Sequence, residues 1–489
     1  MNSIVEAVAA AALNKPDTVA VIAEGERITY AELWKEVRGF ASYIGSFGFE
    51  KGARIIVKAK HSIWYVVASF GIHLAGYAHV PVGKMLTVEA LQNIAEQLSA
   101  SMIISDLDLE ESACAVVRSS SVCELAAAHY DVNEQVKFPE TEDICDILFT
   151  TGTTGKPKGV VLSHRAVVAV AENVYYGIGA EAWEGNVYLI PSPMDHAAGV
   201  RNLYVCMLTG TAAVLVDGFS NIKRFFENIR QYRVTSLYMP PSAVRLVNLL
   251  AEKELSKYAE QIRFVYTSSA PFPETDKERL CKSLPNTKLF YAYGCSEAGR
   301  SCIIDYSQQK GRASCAGKPN INSYVFIVDE NRQEIQSSET NQGLIAISGA
   351  TVMNGYFNDP ELTAKTLKNG VIYTNDIGYI DSEGYLYVLG RRDDVINVGG
   401  LKIAPTEVEN VVLRFPGIAE CACFAVQDKI SGVLPKLNIV VEPTADVDIP
   451  ELRAHMLKYL EAFKVPKTIE KVQEIPKTAN GKIDRKVLK

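Results

Sequence analysis

The sequence lacks the features that mark metalloproteins, disulfide-stabilised proteins and membrane proteins. Its ten cysteines, spread from Cys114 to Cys423, form no Cys-x-x-Cys pair, and its seven histidines show no His-Glu-x-x-His spacing. Scattered cysteines of this kind indicate reduced thiols and a cytoplasmic protein. The apolar start contains Glu6 and has no basic leader, so we predict no signal peptide. There is no run of about 18 apolar residues, and we predict no membrane span.

A strong excess of charge of one sign is missing as well. Fifty Lys and Arg residues stand against 57 Asp and Glu residues, for a net charge of −7. This balance argues against nucleic acid or an anionic membrane as a partner, so any phosphate binding must be local. With 489 residues, of which 48% are hydrophobic, the chain can bury large cores in roughly two to four domains.

What the sequence does contain is a loop suited to phosphate. Residues 149–159 read Phe-Thr-Thr-Gly-Thr-Thr-Gly-Lys-Pro-Lys-Gly, directly after the strand-like residues 144–148. Glycines let successive backbone N–H groups turn toward one anion, and threonine hydroxyls and lysines add donors and charge. The spacing is not that of a P-loop, which argues against a nucleotide kinase or a GTPase. Taken alone, the loop is equally consistent with a polar surface turn.

The order of helical and strand patterns predicts the fold class. Residues 1–140 alternate the two patterns, including a helix predicted from Ile63 to Leu74, which favours an α/β fold with at least one parallel sheet. Residues 343–400 are dense in Gly, Asp and Tyr, which indicates short strands and tight turns. We therefore predict a large N-terminal domain of α/β sheets plus a β-rich subdomain, residues 1–392. A small C-terminal α+β domain, residues 393–489, follows a hinge near 391–394.

Several single residues leave two interpretations open. Residues 191–199 contain two prolines and a glycine, which predict a turn without regular helix that presents Asp195 and His196. Arg201 is either a carboxylate counter-ion or a surface ion-pair residue. His61, His73 and His79 lie among apolar neighbours and are interpreted as packed or surface residues.

The later motifs are similarly open. Tyr293 ends an aromatic strand and is either a base-stacking ring or a core residue. Glu297 is either a metal ligand near phosphates or a helix cap, and Asp376 either accepts ribose hydroxyls or forms a turn. Lys482 stands at the tip of an Asn-Gly turn, where most lysines are merely solvated.

Taken together, the motifs resemble one family. The chain is similar over nearly its whole length to the adenylate-forming superfamily of acyl-CoA synthetases, stand-alone adenylation enzymes and firefly-type luciferases. The resemblance is carried by six motifs in that family's order: Thr150–Gly159, Pro193–Gly199, Tyr293–Glu297, Tyr373–Asp376, Gly390–Glu409 and Pro476–Arg485.

The resemblance implies an ATP-dependent carboxylate–CoA ligase. An aryl or medium-chain acid would attack the α-phosphate of Mg-ATP to give acyl-AMP, and the thiol of coenzyme A would then displace AMP. Two alternatives stay open: an enzyme that loads the phosphopantetheine of a carrier protein, and a catalytically silent ATP- or acyl-binding protein. The expected oligomeric state is a monomer or a homodimer.

The resemblance also implies residue roles. Cofactor binding is carried over to Thr150, Thr151, Gly152, Thr153, Thr154, Lys158, Ser269, Ala270, Tyr293, Gly294, Ser296, Asp376 and Arg391. Lys482, Glu297 and His196 would be catalytic, with Glu297 and Thr150 on Mg²⁺. The acyl group would be bound by His196, Gly199, Arg201 and Tyr238. Asp393 would be the hinge about which the small domain alternates, with Gly399, Gly400 and Lys402 on the coenzyme A side.

Four positions depart from the commoner family pattern. Asn375 replaces the glycine of Thr-Gly-Asp, Leu344 replaces a glutamate, Ser268-Ser269 stands for Gly-Gly, and Asp195 occupies an aromatic position. None of these changes removes a principal catalytic group.

The expected substrate is a bulky monocarboxylic acid, and a dicarboxylic acid paired with Arg201 is a second expectation.

Overall fold

The structure is a computed structural model that describes residues 1–109, 112–151, 157–219, 221–398, 401–428, 432–443, 445–478 and 483–488. The α-helices are α1 Ile4–Asn14, α2 Tyr30–Gly45, α3 Ile63–Leu74, α4 Val88–Leu98, α5 Val122–His129, α6 His164–Ile178, α7 Ala197–Thr209, α8 Ile222–Gln231, α9 Pro241–Leu250, α10 Glu252–Leu255, α11 Glu274–Ser283, α12 Pro360–Thr366, α13 Pro405–Val412, α14 Ile449–Tyr459 and α15 Arg485–Leu488.

The strands include several very short ones. They are β1 Val19–Ala23, β2 Glu26–Thr29, β3 Arg54–Lys58, β4 Ala78–Val82, β5 Met102–Ser105, β6 Ala115–Arg118, β7 Ile144–Thr151, β8 Pro157–Ser163, β9 Val187–Ile190, β10 Ala212–Leu215, β11 Ser236–Tyr238, β12 Phe264–Ser268, β13 Lys288–Cys295, β14 Gly299–Asp305, β15 Cys315–Pro319, β16 Ser323–Val328, β17 Gly343–Gly349, β18 Gly355–Tyr356, β19 Leu367–Lys368, β20 Val371–Ile380, β21 Leu386–Arg391, β22 Ile396–Val398, β23 Leu401–Ile403, β24 Ile418–Asp428, β25 Gly432–Val441 and β26 Thr468–Lys471.

Two large sheets form the bulk of the protein. One has, within the described residues, seven strands in the order β18-β8-β7-β4-β3-β5-β6; β7, β4, β3, β5 and β6 run parallel to one another, and β8 and β18 add antiparallel pairs at one edge. The other has fourteen strands in the described part of the chain: a parallel part from β13 to β1, the antiparallel edge strand β2, and an antiparallel part from β14 to β16. This arrangement confirms the predicted α/β class with a β-rich extension.

The main core lies between these sheets. Helices α3 and α6 each contact strands of both sheets, so their side chains are buried on nearly every face. Apolar patterns and local caps explain why these helices form. In α3 the Ser62 hydroxyl accepts a hydrogen bond from the backbone N–H of Tyr65, and in α2 Thr29 and Glu32 complete a capping box.

A second core belongs to the C-terminal part of the chain. Buried apolar residues between Ile396 and Val465 pack together, where α13 and α14 lie against the sheet β24-β25-β26. Leu452 and Met456 face this core, whereas Tyr459, at the end of the same helix, is 59% exposed. At the last turn of α14 its ring lies beside His455 instead, with 5.1 Å between the ring centroids.

Among the described residues, none of the helices combines the length and the apolar character that a membrane span requires.

Candidate active site

A chain of contacts through Tyr356 joins two of the predicted motifs. In the hairpin β7–β8 Thr150 is paired with Lys158, whose Nζ lies 5.7 Å from the centre of the Tyr356 ring. The Tyr356 hydroxyl donates a hydrogen bond of 2.7 Å to Oε1 of Glu297. The structure therefore brings the phosphate-type hairpin beside the predicted metal-binding carboxylate. The predicted Gly152, Thr153 and Thr154 lie outside the described residues, as does the side chain of Thr151.

Tyr356 is a site residue that the sequence did not reveal. It lies 59 positions from Glu297, in a two-residue strand, β18, that pairs with β8. Burial raises the pKa of its hydroxyl, and the neighbouring Glu297 raises it further. Tyr356 thus remains a neutral hydrogen-bond donor that orients the carboxylate.

A second cluster surrounds Asp376. The Tyr293 hydroxyl donates to Oδ2 of Asp376 at 2.7 Å, and Nε of Arg391 lies 3.7 Å from Oδ1. Asp376 lies within β20, paired with Arg391 of β21, so its interpretation as a turn residue is wrong. The Tyr293 ring is buried with its polar end at Asp376, and burial followed by the Asp376 charge raises the pKa of its hydroxyl. The three residues predicted for adenosine are therefore in contact.

Arg201 connects the two clusters. Its Nη1 donates to the carbonyl oxygen of Cys295 at 3.0 Å and its Nη2 to that of Ser296 at 2.6 Å. The side chain is buried, so the surface interpretation is wrong: its partners come from a strand end 94 and 95 positions further along the chain. Burial, and then the positive charge of Arg300, lower the pKa of Arg201 to about 10. Arg201 fixes the backbone that carries Ser296 and Glu297.

The segment around His196 is more helical than predicted. Helix α7 begins at Ala197, so the expectation of no regular helix up to Gly199 is wrong. The prolines precede the helix and do not interrupt it, and Gly199 falls in its first turn. A Cβ on Gly199 would lie 2.2 Å from the carbonyl oxygen of Pro193, so packing requires this glycine. His196 is partly exposed, with its Nε2 3.8 Å from Oδ2 of Asp195.

The serines that stand for two glycines meet Tyr238. Ser269 has φ +83°, in the region that favours glycine, while its neighbour Ala270 follows in a turn. The buried Tyr238 hydroxyl lies 3.0 Å from Oγ of Ser268 and 3.1 Å from Oγ of Ser269. Gly294 is equally constrained, because a Cβ there would lie 1.6 Å from the carbonyl oxygen of Gly299.

A buried polar network lies behind the phosphate-type hairpin. Asp146 of β7 accepts hydrogen bonds from the Tyr204 hydroxyl at 2.9 Å, from His79 at 2.9 Å and from His73 at 3.2 Å. Burial alone would raise the pKa of Asp146, but the histidine hydrogen bonds outweigh it and hold the pKa well below its usual range. His61 is also buried, with Nε2 2.9 Å from the carbonyl oxygen of Ser192.

The predicted C-terminal site residues are described only in part. Asp393 lies in a short 3-10 turn, Arg392–Asp394. Lys402 lies in β23, where only its backbone is described, and Gly399, Gly400 and Lys482 lie outside the described residues.

The chain that follows Lys482, from Ile483 onward, is held in place by contacts with other parts of the C-terminal region. Lys477 pairs with Ile483 in an isolated bridge. Arg485 forms an ion pair with Glu409 and donates from Nε to the carbonyl oxygen of Cys423 at 3.3 Å.

The site suits a magnesium nucleotide. Glu297 and Thr150 offer the oxygen ligands that Mg²⁺ prefers, and Lys158 lies at the same place to meet phosphate charge. A carboxylate such as that of Asp376 has the chemistry to accept hydrogen bonds from two vicinal hydroxyls. Residues 8–357 match the family model of the AMP-binding enzyme, and residues 407–482 match the model of the AMP-binding enzyme C-terminal domain.

The chain belongs to the AMP-binding enzyme family. This confirms the resemblance found in the sequence. This AMP-binding enzyme is 27% identical to feruloyl-CoA synthase of Amycolatopsis sp over 472 residues, covering 96% of the chain and 94% of the relative. It is 26% identical to 2-succinylbenzoate–CoA ligase of Bacillus cereus over 476 residues, covering 97% and 95%.

A solved structure has the same fold. The o-succinylbenzoate coenzyme A synthetase (MenE) of Bacillus subtilis, in complex with ATP and magnesium ion, superposes on this AMP-binding enzyme with a TM-score of 0.80. The two chains are 25% identical, and the match covers 98% of each. The predicted fold class is thereby confirmed over nearly the whole chain, whereas the division at residues 392 and 393 stays a prediction.

Proposed function

We propose that this AMP-binding enzyme is an ATP-dependent carboxylate–CoA ligase that acts through an acyl-AMP. The observation that carries this proposal is the meeting of two clusters at the end of β13. Lys158, Tyr356 and Glu297 lie on one side, and Tyr293 and Asp376 lie on the other. The names of the relatives support it, since both describe the joining of an organic acid to coenzyme A.

In the first step a carboxylate oxygen bonds to the α-phosphorus of ATP, and the bond between that phosphorus and the pyrophosphate oxygen breaks. Lys158 meets the negative charge of the leaving phosphates, and Asp376 fixes the ribose through its hydroxyls. Bound at Glu297 and Thr150, Mg²⁺ would neutralise phosphate charge. Arg201 supports this step indirectly, because it holds the backbone that positions Glu297.

In the second step a thiol sulfur attacks the acyl carbon, AMP leaves with the bonding electrons, and the thiol proton passes to solvent or base. Coenzyme A is the proposed thiol, with the phosphopantetheine of a carrier protein as the alternative acceptor. Rotation of the C-terminal domain about Asp393 is proposed to exchange Lys482 for the Gly399-Gly400 segment between the steps.

Three further predictions remain proposals. All ten cysteines are free thiols, which supports a cytoplasmic location. The acid is proposed to be aryl or medium-chain, with His196 and Tyr238 at the acyl pocket. The protein is proposed to be a monomer or a homodimer, which its mass in solution distinguishes.

The test is carboxylate-dependent exchange between ATP and labelled pyrophosphate. The purified full chain is assayed over a panel of aryl, straight-chain, amino and dicarboxylic acids, with Lys482→Ala as the control. Exchange that is lost in the control establishes adenylation. AMP release that depends on coenzyme A then separates the ligase from the carrier-loading alternative. ATP binding without exchange or AMP release under any condition would favour the silent binding protein.

A further inference from the structure

Arg300 is a buried cation whose hydrogen-bonding capacity is not filled. It lies in β14 opposite Gly294 of β13 and is 5% exposed. Its Nε and Nη2 have no hydrogen-bond partner among the residues that the structure describes. A buried guanidinium without acceptors is costly, because its N–H groups have lost water and gained nothing in return. An acceptor supplied from outside the chain would offset this cost.

The charged residues near Arg300 do not supply an acceptor for its guanidinium group. Arg201 is buried close enough for the charge of Arg300 to affect it, and its acceptors are the neutral carbonyls of Cys295 and Ser296. In the described part of the chain, neither arginine forms an ion pair with a carboxylate. Two buried guanidinium groups thus give this side of the site a positive potential that favours an anion.

Tyr266 provides a second buried polar group beside Arg300. The Arg300 guanidinium lies 5.8 Å from the centre of the Tyr266 ring, which in turn lies 5.9 Å from the Tyr238 ring. The Tyr266 hydroxyl is buried close enough to the Arg300 guanidinium for the two groups to interact, but in the described ranges no hydrogen bond of full geometry satisfies it. Because burial raises its pKa to about 12, this hydroxyl is a neutral donor. A forked guanidinium with a phenol beside it matches the two oxygens of a carboxylate.

The location relates this cluster to the reaction. Arg300 pairs with Gly294, directly before the Cys295–Glu297 segment that carries the proposed magnesium ligand. Tyr238, whose ring lies beside that of Tyr266, contacts Ser268 and Ser269 at the end of β12. Arg300 is therefore close along the sheet to the residues proposed to activate the acid.

We propose that Arg300, with Tyr266, binds a second carboxylate of the acyl substrate, so that the substrate is a dicarboxylic acid. The inference rests on the proposed adenylation and narrows its substrate class. In this proposal the counter-ion of the second carboxylate is Arg300 and not Arg201, because Arg201 donates its hydrogen bonds to backbone carbonyls.

The test compares each dicarboxylic acid with its own half-amide. Straight-chain acids of three to eight carbons and aromatic dicarboxylic acids are assayed by pyrophosphate exchange with the full chain. A site built to pair a polar group rejects analogues that lack it, so we expect kcat/KM for the preferred dicarboxylate to exceed that of its half-amide at least about 100-fold. Arg300→Met should remove this preference, lowering kcat/KM for the dicarboxylate about 100-fold and that for the half-amide less than about threefold.

Two readouts separate binding from folding. Arg300→Met removes an unpaired buried charge, so its Tm should equal or exceed that of the wild type, whereas a structural arginine would lower it. Arg300→Lys keeps the charge without the planar fork and should restore part of the preference. Equal use of diacid and half-amide by the wild type, or an equal loss for both in Arg300→Met, would overturn the inference alone. No exchange with any acid would overturn the proposed adenylation itself.

Discussion

Asn375 is hydrogen-bonded to Asp393, with 2.8 Å between its Nδ2 and the carboxylate Oδ2. The neighbouring Arg392 donates from Nη2 to Oδ1 of Asn375 at 3.1 Å. A glycine, the commoner residue at this position in the pattern noted above, has no side chain for either bond. The substitution to asparagine therefore links β20 to the predicted hinge.

Replacing Asn375 by glycine should loosen this hinge. Asn375→Gly removes two largely exposed hydrogen bonds, so we expect a loss of about 1 kcal/mol or less in stability and a wider distribution of domain orientations. The orientations are measured as energy transfer between dyes on the two domains. Asn369→Gly, in the turn between β19 and β20, is the matched control. Identical distributions in Asn375→Gly and the wild type would contradict a restraining role.

Tyr356 offers a direct test of how Glu297 is oriented. Tyr356→Phe removes one hydroxyl and leaves the ring near Lys158, so Glu297 loses its donor. Loss of a partner that orients a ligand typically costs 10-fold to 100-fold in metal affinity or activity. We expect pyrophosphate exchange to need about 10-fold more Mg²⁺. Tyr324→Phe, at an exposed position, is the control, and an unchanged Mg²⁺ dependence in Tyr356→Phe would show that Glu297 does not need this bond.

The backbone at Ser269 allows a comparison of two small residues. At φ +83° a Cβ is strained, so Ser269→Gly should be more stable than Ser269→Ala by about 1 kcal/mol. Both variants lose the contact with Tyr238, which therefore cancels in the comparison. At Ser268, inside β12, the order should reverse, because glycine weakens a strand. The measurement is the midpoint of denaturant unfolding for the four variants.

The ion pair between Arg485 and Glu409 secures the chain that follows Lys482. Glu409 is buried and also accepts a hydrogen bond from the backbone N–H of Cys423 at 2.8 Å. Arg485→Gln would leave this carboxylate unpaired, at a cost of about 3–5 kcal/mol, and should lower pyrophosphate exchange as well. The double variant with Glu409→Gln should recover most of the stability. Additive losses in the double variant would show that the pair is not coupled.

Local features of the sequence predicted local structure well. Helix α3 has the predicted bounds, Ile63 to Leu74, because its apolar pattern and its cap lie within the segment. The sequence did not predict the contacts between residues that lie far apart along the chain. Nothing near Arg201 indicates that Cys295 and Ser296 are its acceptors, and nothing near Glu297 points to Tyr356. Such contacts arise from the order of the strands in the sheets, which hydrophobic periodicity does not encode.

Acidification should weaken the fold through His164. This residue begins α6 and is buried, and its Nδ1 accepts a hydrogen bond from the backbone N–H of Ile4 at 3.4 Å. Burial, and then the charge of His73, lower its pKa from 6.5 to about 3, against an opposing effect of Asp146 and Asp143. The unfolded chain therefore binds the proton more readily between these two values. The stability that His164 contributes is present above pH 6.5 and is lost as the pH falls toward 3.

The slope is the quantity to measure. One proton taken up on unfolding corresponds to about 1.4 kcal/mol per pH unit, and the pKa of His79, also lowered by burial, adds in the same direction. We expect the free energy of unfolding, from urea titrations at pH 7, 6 and 5, to fall with pH. In His164→Gln the free energy of unfolding should fall less steeply with pH, because up to about one proton fewer is taken up on unfolding. His129→Gln, at an exposed position, should keep the wild-type slope. A wild-type slope in His164→Gln would mean that the proton is taken up elsewhere in the network around Asp146.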